Sequence, residues 1–371
     1  MKNTIAIAAG GTGGHIFPAQ AICELLNKRY YILWFTDQKG QKFMKPIDDC
    51  KVVILPVTSI ATTRGDEIQF VYGLARLAIS IVKAMYTLTK NKVKLVVGFG
   101  GYPAAPVLCA AFILRIPTVI HEQNAVMGRV NRFFSKSASS VMTSFEKTIH
   151  APSNAVYVGN PIRQSIAKIA EIKLGETKNT GAFNPIRILV IGGSQGSALL
   201  SSLVPSAIAK LPEELKTKIY VTQQTRPELI DVTRKSYPKI AELVIASFFD
   251  DIGEKMASSD IIIARAGATT IAELSYLRKP AILIPLVSAK DNHQYYNAKY
   301  LADQGGAIIL EEKDKGEEKA LNPEILAKLI EDMINNLPEW ASKAKKTMPS
   351  TNALANMVTK INQIIMYNTK F

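Results

Sequence analysis

Cysteine and histidine are scarce in this 371-residue chain, which has three cysteines and four histidines. Cys23, Cys50 and Cys109 lie far apart, with no CxxC motif and no Cys/His spacing typical of a metal site. An odd number of cysteines cannot pair completely. The sequence therefore predicts a protein of a reducing compartment without a structural metal.

The chain also lacks an apolar run with the form of a targeting signal or a membrane span. Residues 5–9 follow Lys2 but are far shorter than the roughly 7 to 15 residues of a signal-peptide core. Residues 95–114 carry no charge, yet glycines and prolines within 98–106 would break a spanning helix. We expect a cytoplasmic protein that touches a membrane only from its surface.

Acidic residues are the minority charge, with 31 Asp and Glu against 45 Lys and Arg. Residues 1–163 hold 19 basic and 8 acidic side chains, a net charge of +11, whereas residues 164–371 hold 26 and 23, a net charge of +3. This asymmetry indicates an anionic partner for the first half, or merely a soluble basic surface. Basic and aromatic residues are not interleaved as in nucleic-acid-binding proteins, so nucleic acid is not expected as a partner.

What remains is an ordinary globular composition, with 47% hydrophobic and 20% charged residues, which excludes collagen, coiled coil and disorder. Short runs rich in Val and Ile alternate with helical patterns, as in a parallel sheet covered on both faces. Strands are predicted near 3–9, 31–36, 51–55, 94–98, 117–121, 138–143 and 155–158, and then near 186–192, 218–223, 242–246, 260–264, 280–285 and 306–310. We therefore predict an α/β protein with two Rossmann-like, doubly wound parallel-sheet domains facing a cleft.

The predicted domains are residues 1–163 and 164–342, joined by a polar linker that includes 171–185. A C-terminal helix of about 343–371 has no strand after it and could pack back on the first domain.

Three glycine loops follow predicted strands. They are Gly10-Gly11-Thr12-Gly13-Gly14-His15, Gly98-Phe99-Gly100-Gly101-Tyr102-Pro103 and Gly192-Gly193-Ser194-Gln195-Gly196. Glycine lets the backbone approach an anion, whose charge is favoured by a helix N-terminus. Two alternatives remain open: a plain tight turn, and a dinucleotide site in which Asp37, at the end of the second strand, holds a ribose.

His15 lies at the edge of the first loop, beside a helix N-terminus that disfavours an imidazolium ion. A neutral imidazole there could accept a proton as a general base, or it could donate a hydrogen bond or fix the loop.

Residues 260–273 predict a strand, a turn and a helix start. Arg265, Thr269 and Thr270 could meet a diphosphate there, and Glu273 could accept hydrogen bonds from two ribose hydroxyls. A capped helix with a solvated Glu273 is the alternative.

Eight motifs, in their order and spacing, resemble the MurG-type N-acetylglucosaminyltransferases of bacterial cell-wall synthesis, inverting enzymes with the two-domain GT-B fold. They are GGTGGHIFPA (10–19), GFGGYPAAP (98–106), HEQNAVMGRVNR (121–132), GNPIR (159–163), GGSQGS (192–197), FFDDI (248–252), ARAGATTIAEL (264–274) and DNHQYYNA (291–298). The resemblance covers essentially the whole chain.

The resemblance implies that the second domain binds UDP-N-acetylglucosamine. Phe249 would meet the uracil and Glu273 the ribose, while Gln294 and Asn124 would hold sugar hydroxyls. The other implied donor-binding residues are Thr12, Gly13, Gly14, Arg163, Ser194, Gln195, Arg265, Ala268, Thr269 and Thr270. His293 replaces a glutamine found in some relatives, which puts a sugar contact there in doubt.

On the acceptor side the resemblance implies His15, Tyr102, His121 and Glu122, with His15 and Glu122 as alternative bases. The implied reaction transfers N-acetylglucosamine to the C4 hydroxyl of undecaprenyl-pyrophosphoryl-muramoyl-pentapeptide, the lipid I to lipid II step of peptidoglycan synthesis. No cofactor and no metal are expected, because glycine-loop amides, helix N-termini and arginine can neutralise the leaving diphosphate.

Residues 66–92 predict a helix with one narrow polar and basic stripe: Gln69, Gly73, Arg76, Ser80, Lys83, Thr87 and Lys90. The other residues of this helix are mostly apolar. Because a helix packed on a sheet buries only one side, part of this apolar surface needs a second apolar environment. Docking on the anionic cytoplasmic surface of the cell membrane is one answer, and burial under a neighbouring helix is the other. The candidate membrane residues are Phe70, Leu74, Arg76, Ile79, Val82, Lys83, Met85 and Tyr86.

Two competing functions remain: a UDP-sugar epimerase of the same fold, and a non-catalytic UDP-sugar-binding scaffold of the cell-wall machinery. The presence of all three first-half motifs argues against the scaffold. Partners implied by the resemblance are the two substrates, the membrane surface, and proteins of cell-wall synthesis and division.

Overall fold

The structure is a computed structural model that describes residues 2–57, 67–173, 185–193, 196–312, 321–347 and 352–368. The chain forms two compact units, Met1–Arg163 together with Ser350–Phe371, and Gln164–Pro349.

The first unit is built on a seven-stranded parallel sheet in the order β3-β2-β1-β4-β5-β6-β7. Its strands are β1 (Thr4–Ala8), β2 (Tyr31–Thr36), β3 (Cys50–Ile54), β4 (Leu95–Gly98), β5 (Thr118–Glu122), β6 (Ser140–Thr143) and β7 (Val156–Tyr157). Its helices are α1 (Gly13–Leu26), α2 (Gln38–Gln41), α3 (Glu67–Lys90), α4 (Ala104–Ile113), α5 (Arg129–Phe134) and α15 (Ala353–Asn368). Along β1, Ile5 and Ile7 pack on one face while Ala6 and Ala8 pack on the other, so both faces of the sheet are buried.

The second unit has a six-stranded parallel sheet in the order β10-β9-β8-β11-β12-β13. Its strands are β8 (Ile186–Ile191), β9 (Ile219–Gln224), β10 (Glu242–Ala246), β11 (Ile261–Ala264), β12 (Ala281–Leu283) and β13 (Ala307–Ile309). Its helices are α6 (Gln164–Lys173), α7 (Ala198–Ala209), α8 (Glu213–Lys216), α9 (Ile230–Ser236), α10 (Ile252–Ser258), α11 (Ala268–Leu277), α12 (His293–Asp303), α13 (Pro323–Asn335) and α14 (Leu337–Lys346). Short 3₁₀ turns occupy Pro227–Leu229 and Lys290–Asn292.

Both sheets have the doubly wound strand order, which confirms the predicted α/β class. In such a sheet the chain leaves in opposite directions on the two sides of the first strand, and the crevice at the carboxyl ends there is where ligands bind. In the first unit this switch point lies between β1 and β4, and in the second between β8 and β11. All three predicted glycine loops follow one of these four strands.

The C-terminal helix α15 belongs to the first unit. Met357, Ile361 and Ile365 join the core beneath β1, and the Tyr30 hydroxyl donates a hydrogen bond to Asn362 Oδ1 at 2.7 Å. The helix before it, α14, packs in the second unit instead, where Trp340 contacts the core. The predicted linker overlaps the end of α6, and residues 174–184 lie outside the described residues.

Candidate active site

The first glycine loop and the loop after β4 interlock at the switch point of the first unit. Gly11 and Gly101 have positive φ angles of 81° and 74°, which side-chain-bearing residues rarely adopt. A methyl group on Gly10 would lie 2.7 Å from Pro103 Cγ, and one on Gly101 would lie 3.0 Å from the Gly10 carbonyl oxygen. The glycines therefore permit contact between two loops, in addition to any approach of a ligand.

His15 lies in the first turn of α1, between these two loops. Its Nδ1 is 3.2 Å from Thr12 Oγ1, and its ring packs on Gly101, where an added methyl group would lie 3.4 Å from Nδ1. Gly13 is buried, while Thr12 is exposed and occupies the N-cap position of α1. The structure thus places His15, Thr12, Gly13 and Gly14 together at the carboxyl end of β1.

Asp37 contradicts the dinucleotide alternative. Its carboxylate is almost fully buried, and Oδ1 accepts hydrogen bonds from the Gly11 amide at 2.8 Å and the Gly40 amide at 3.0 Å. Oδ2 accepts a hydrogen bond from the Tyr102 hydroxyl. The carboxylate is thus buried among protein donors rather than open to a ribose. Burial and the bond to Asp37 raise the pKa of Tyr102, which stays protonated and donates.

His121 is fully buried near the end of β5, where its ring contacts the Gly159 and Gln123 segments. Nε2 donates to the Gly159 carbonyl oxygen at 3.0 Å, and Nδ1 accepts from Gln123 Nε2 at 3.0 Å. Burial lowers the pKa of His121 to about 4, so the imidazole is neutral. The sequence-based expectation that His121 lines the acceptor side differs from this placement: His121 holds Gly159, the first residue of the GNPIR motif.

Glu122 is also buried, and its carboxylate oxygens accept hydrogen bonds from the loop that follows it and from α5. Oε1 accepts from the Asn124 backbone amide at 3.0 Å and from the Asn124 side chain at 3.2 Å. Oε2 accepts from the Gly128 amide at 2.9 Å and from Asn131 Nδ2 at 2.8 Å. Four protein donors thus engage both oxygens of the carboxylate, which holds Asn124 and Gly128 in place.

In the second unit, the loop after β8 runs into α7. Gly192 has no space for a side chain, since an added methyl group would lie 2.3 Å from the Ser197 amide nitrogen, and Gly193 and Gly196 have positive φ angles of 85° and 68°. Ser197 caps α7 by accepting from the Leu200 amide. Ser194 and Gln195, predicted to meet the diphosphate, lie outside the described residues.

Arg265 follows β11 and is buried, and its guanidinium donates hydrogen bonds to other protein groups. Nε donates to Ser197 Oγ at 3.2 Å, and Nη1 donates to Glu312 Oε2 at 3.0 Å and to the Ile284 and Pro285 carbonyls, each at 3.2 Å. These bonds use Nε and Nη1, and the predicted direct contact of Arg265 with a diphosphate stays a prediction. The guanidinium joins the cap of α7 to the end of β12, and Glu312 offsets its charge.

Helix α11 begins three residues after this arginine, at Ala268. Thr269, the second residue of the helix, has a buried Oγ1 that finds no hydrogen-bond partner among the described residues. Thr270 is half-buried, and Glu273 is 3% exposed. The alternative of a solvated Glu273 is therefore wrong.

Three other donor-side residues lie elsewhere. Gln294 lies in the first turn of α12, and its Oε1 accepts a hydrogen bond from the Leu286 amide at 3.0 Å. The Phe249 ring is buried beneath Lys255 Nζ, 5.1 Å from the ring centroid, consistent with a role for its backbone. Arg163 belongs to the first unit, where its guanidinium stacks on Phe17 at 5.3 Å.

The face that α3 turns to the protein consists of three small residues and one leucine. Gly73, Ser80, Ala84 and Leu88 are buried, and α3 packs against α4 there. Two members of the predicted polar stripe, Gly73 and Ser80, therefore point inward, because small side chains allow two helices to approach closely.

The large apolar residues of α3 are left exposed. Val82, Tyr86 and Ile79 have 66%, 64% and 58% of their surface accessible. Phe70 and Leu74 are also exposed, whereas Met85 and Arg76 are partly buried. Lys83 Nζ donates to the Ile54 carbonyl oxygen. Among the described residues, Phe70–Lys90 is long and apolar enough by composition to cross a membrane, with 22% of its most apolar window buried.

Sequence reasoning missed two residues that organise these sites, Asp37 as a loop brace and Glu312 as the partner of Arg265. Asp37 carried a usable signal, since an acidic residue between a strand and a short helix is a typical N-cap. Glu312 carried none, because its partner is 47 residues away in the chain.

Two doubly wound units with glycine loops at their switch points define the class: the chain has the GT-B fold of nucleotide-sugar glycosyltransferases. The N-terminal domain of glycosyltransferase family 28 matches residues 5–143, and the C-terminal domain of the same family matches residues 187–361. The chain belongs to glycosyltransferase family 28, and within it to the MurG-type N-acetylglucosaminyltransferases.

Similar proteins carry one name, UDP-N-acetylglucosamine--N-acetylmuramyl-(pentapeptide) pyrophosphoryl-undecaprenol N-acetylglucosamine transferase. The protein of this name from Phenylobacterium zucineum is 40% identical over 91% of both chains, and that from Zymomonas mobilis is 36% identical over 96% of this chain and 92% of its own. The crystal structure of Acinetobacter baumannii MurG matches with a TM-score of 0.74 and 28% identity, covering 97% of this chain and 99% of that one. A UDP-GlcNAc 2-epimerase from Neisseria meningitidis bound to UDP-GlcNAc shares the fold alone, with a TM-score of 0.65 and 13% identity over 98% of this chain and 100% of that chain.

Proposed function

We propose that this protein transfers N-acetylglucosamine from UDP-N-acetylglucosamine to the C4 hydroxyl of undecaprenyl-pyrophosphoryl-muramoyl-pentapeptide, with inversion at the anomeric carbon. The observation that carries the proposal is the 40% identity, over 91% of both chains, to a transferase named for this reaction. The two switch points add to it, because one unit presents an imidazole and the other presents two helix N-termini.

The second unit is the donor side of this proposal. The N-termini of α7 and α11 offer backbone amides and positive dipole ends to the diphosphate, and the Thr269 hydroxyl adds a donor. Arg265 positions the two loops, with its charge balanced by Glu312. Glu273 accepts hydrogen bonds from the ribose, and the Gln294 amide donates to a sugar hydroxyl.

The first unit is the acceptor side, and His15 is the base of this proposal. His15 Nδ1 lies 3.2 Å from Thr12 Oγ1, and we assign the Nδ1–H tautomer to this contact, in which the lone pair on Nε2 takes the proton from the acceptor hydroxyl. Glu122 is assigned a positioning role instead, because its two oxygens already accept four hydrogen bonds that shape the Asn124 loop.

Stabilisation of the departing UDP is assigned to protein groups rather than to a metal. Preorganised amides aimed at developing charge, in a site from which water is excluded, lower the barrier without a divalent cation. Within the described ranges, no three His, Cys, Asp or Glu side chains are placed to hold a metal ion.

The direct test is turnover with UDP-N-acetylglucosamine and the lipid-linked acceptor, with and without EDTA. We expect a lipid-linked disaccharide, dependent on both substrates and unchanged by the chelator. The control incubates UDP-N-acetylglucosamine alone, from which an epimerase would release a new UDP-sugar. Appearance of that sugar without the lipid, or loss of turnover in EDTA with recovery in magnesium, contradicts the proposal.

We further propose that the protein acts at the cytoplasmic face of the membrane as a peripheral protein, docked through α3. The buried stripe of α3 is part of the fold, so the helix cannot leave α4 to span a bilayer without breaking that packing. Its exposed apolar face can enter the interface instead, and each basic residue near an acidic surface adds about 1 kcal/mol.

We expect co-sedimentation with anionic liposomes to exceed that with neutral liposomes and to weaken as salt shortens the Debye length. Val82→Glu should reduce sedimentation, because it places a charge on the docking face. Val232→Glu is the matched control, since Val232 in the second unit is 63% exposed against 66% for Val82. Equal, salt-insensitive binding to both liposomes, or equal loss in both variants, contradicts docking through α3.

A further inference from the structure

The Asp37 carboxylate joins two separate loops of the first unit. It is 3% exposed and lies at the end of β2, next to β1 in the sheet. Through Oδ1 it holds the Gly11 amide of the first glycine loop, and through Oδ2 it accepts the hydroxyl hydrogen of Tyr102 from the loop after β4. The Gly40 amide completes the set and starts α2.

Packing around this carboxylate is tight enough to determine where both loops lie. A methyl group on Gly10 would lie 2.7 Å from Asp37 Oδ1, and one on Gly40 would lie 2.9 Å from the same oxygen. The Tyr102 ring covers Gly11, where an added methyl group would lie 3.3 Å from Cε1. Neither loop can shift without moving the carboxylate or the tyrosine ring.

His15 depends on both loops for its position. Thr12, in the first loop, contacts its Nδ1, and Gly101, in the second, lies against its ring. A change in the distance between the loops therefore moves the imidazole. A displacement of about 1 Å at a reacting group can lower a rate about 10²-fold.

We propose that Asp37 is a positioning residue for the transfer reaction: by holding the Gly11 amide and the Tyr102 hydroxyl, it sets the geometry in which His15 meets the acceptor. This inference rests on the proposed function. Asp37 itself does not touch the substrates, because its oxygens are engaged by protein donors.

The test compares Asp37→Ala and Asp37→Asn with the wild type. UDP titration gives the concentration of protein whose second unit binds UDP. The value of kcat is then expressed per UDP-binding site, so that misfolded protein does not lower it. Asp37→Ala should lower kcat about 10²-fold, with the Kd for UDP within about twofold of wild type. In Asp37→Asn, Oδ1 can still accept from both amides, so its kcat should be about tenfold higher than that of Asp37→Ala.

Two further arms separate positioning from loss of stability. Hydrogen exchange at residues 10–14 and 99–103 should accelerate in Asp37→Ala and stay slow in Asp37→Asn. In a Tyr102→Phe background, Asp37→Asn should have little additional effect on kcat, because the bond that joins the loops is already absent. Asp48→Ala, which removes an exposed carboxylate from the same unit, is the control and should match the wild type.

A kcat per UDP-binding site in Asp37→Ala within about threefold of wild type overturns the inference, as do parallel losses of kcat and UDP binding. If Asp37→Ala does not fold, Asp37→Asn and the Tyr102→Phe cycle decide, and additive effects in that cycle also overturn it. Absence of turnover in the wild type is a different result, since it refutes the proposed function, and the exchange measurement then decides whether Asp37 joins the loops.

Discussion

Replacing His15 with alanine is expected to lower kcat about 10²- to 10⁴-fold, the usual contribution of a general base. UDP affinity should stay nearly unaltered, because His15 belongs to the first unit while Glu273, Thr269 and the start of α11 belong to the second. The measurement is kcat per UDP-binding site, together with the Kd for UDP from titration of the same preparations.

The pH profile provides an independent measure. The low-pH limb of kcat should disappear in His15→Ala, since the group whose protonation stops the reaction is gone. His150→Asn is the matched control, because His150 is exposed in the same unit and has a positive φ of 66°, which asparagine tolerates. A loss below about tenfold, or a low-pH limb that persists unchanged, would point to positioning by His15 and to a water or another group as the base.

Replacing Glu273 with alanine is expected to raise KM for UDP-N-acetylglucosamine about 10- to 100-fold. A hydrogen bond to a charged group is worth about 1.5–3 kcal/mol, and about 1.4 kcal/mol corresponds to a factor of ten in affinity. The KM for the lipid acceptor should change little. Glu214→Ala, which removes an exposed carboxylate from α8 of the same unit, is the control and should keep wild-type kinetics.

Deoxygenated nucleotides make this test specific to the ribose. The wild type should bind 2′,3′-dideoxy-UDP more weakly than UDP, and the difference should vanish in Glu273→Ala, because the carboxylate that the hydroxyls meet is absent. If Glu273→Ala still discriminates between the two nucleotides, or binds UDP as the wild type does, Glu273 does not hold the ribose.

The strands show how far local pattern reaches in this chain. Each observed strand ends within two residues of its predicted bounds, including the two-residue β7. Buried parallel strands are near-continuous runs rich in Val, Ile and Leu, and that signal is contained in a few adjacent residues. The same holds for the glycine loops, since a strand followed by glycines and a helix start is a local sequence signature.

Helix α3 shows that the apolar pattern of a helix does not by itself reveal which side is buried. Its composition predicts more apolar surface than one sheet can cover, and the exposed Val82 and Tyr86 agree with that. The pattern did not reveal which side turns inward. Contact with α4 decided it, by favouring Gly73, Ser80 and Ala84, which let the helices approach.

The sequence by itself determined the two parallel-sheet units, the strand bounds, the glycine loops and the family, because each rests on residues adjacent in the chain or on their order. The tertiary structure alone decided which polar atoms are already paired. Arg265 reaches Glu312, Asp37 reaches Tyr102 across 65 positions, and Glu122 closes on its own loop. Most buried polar groups are paired, with whichever partner the fold brings near them. That choice depends on distance in space, which the order of residues does not contain.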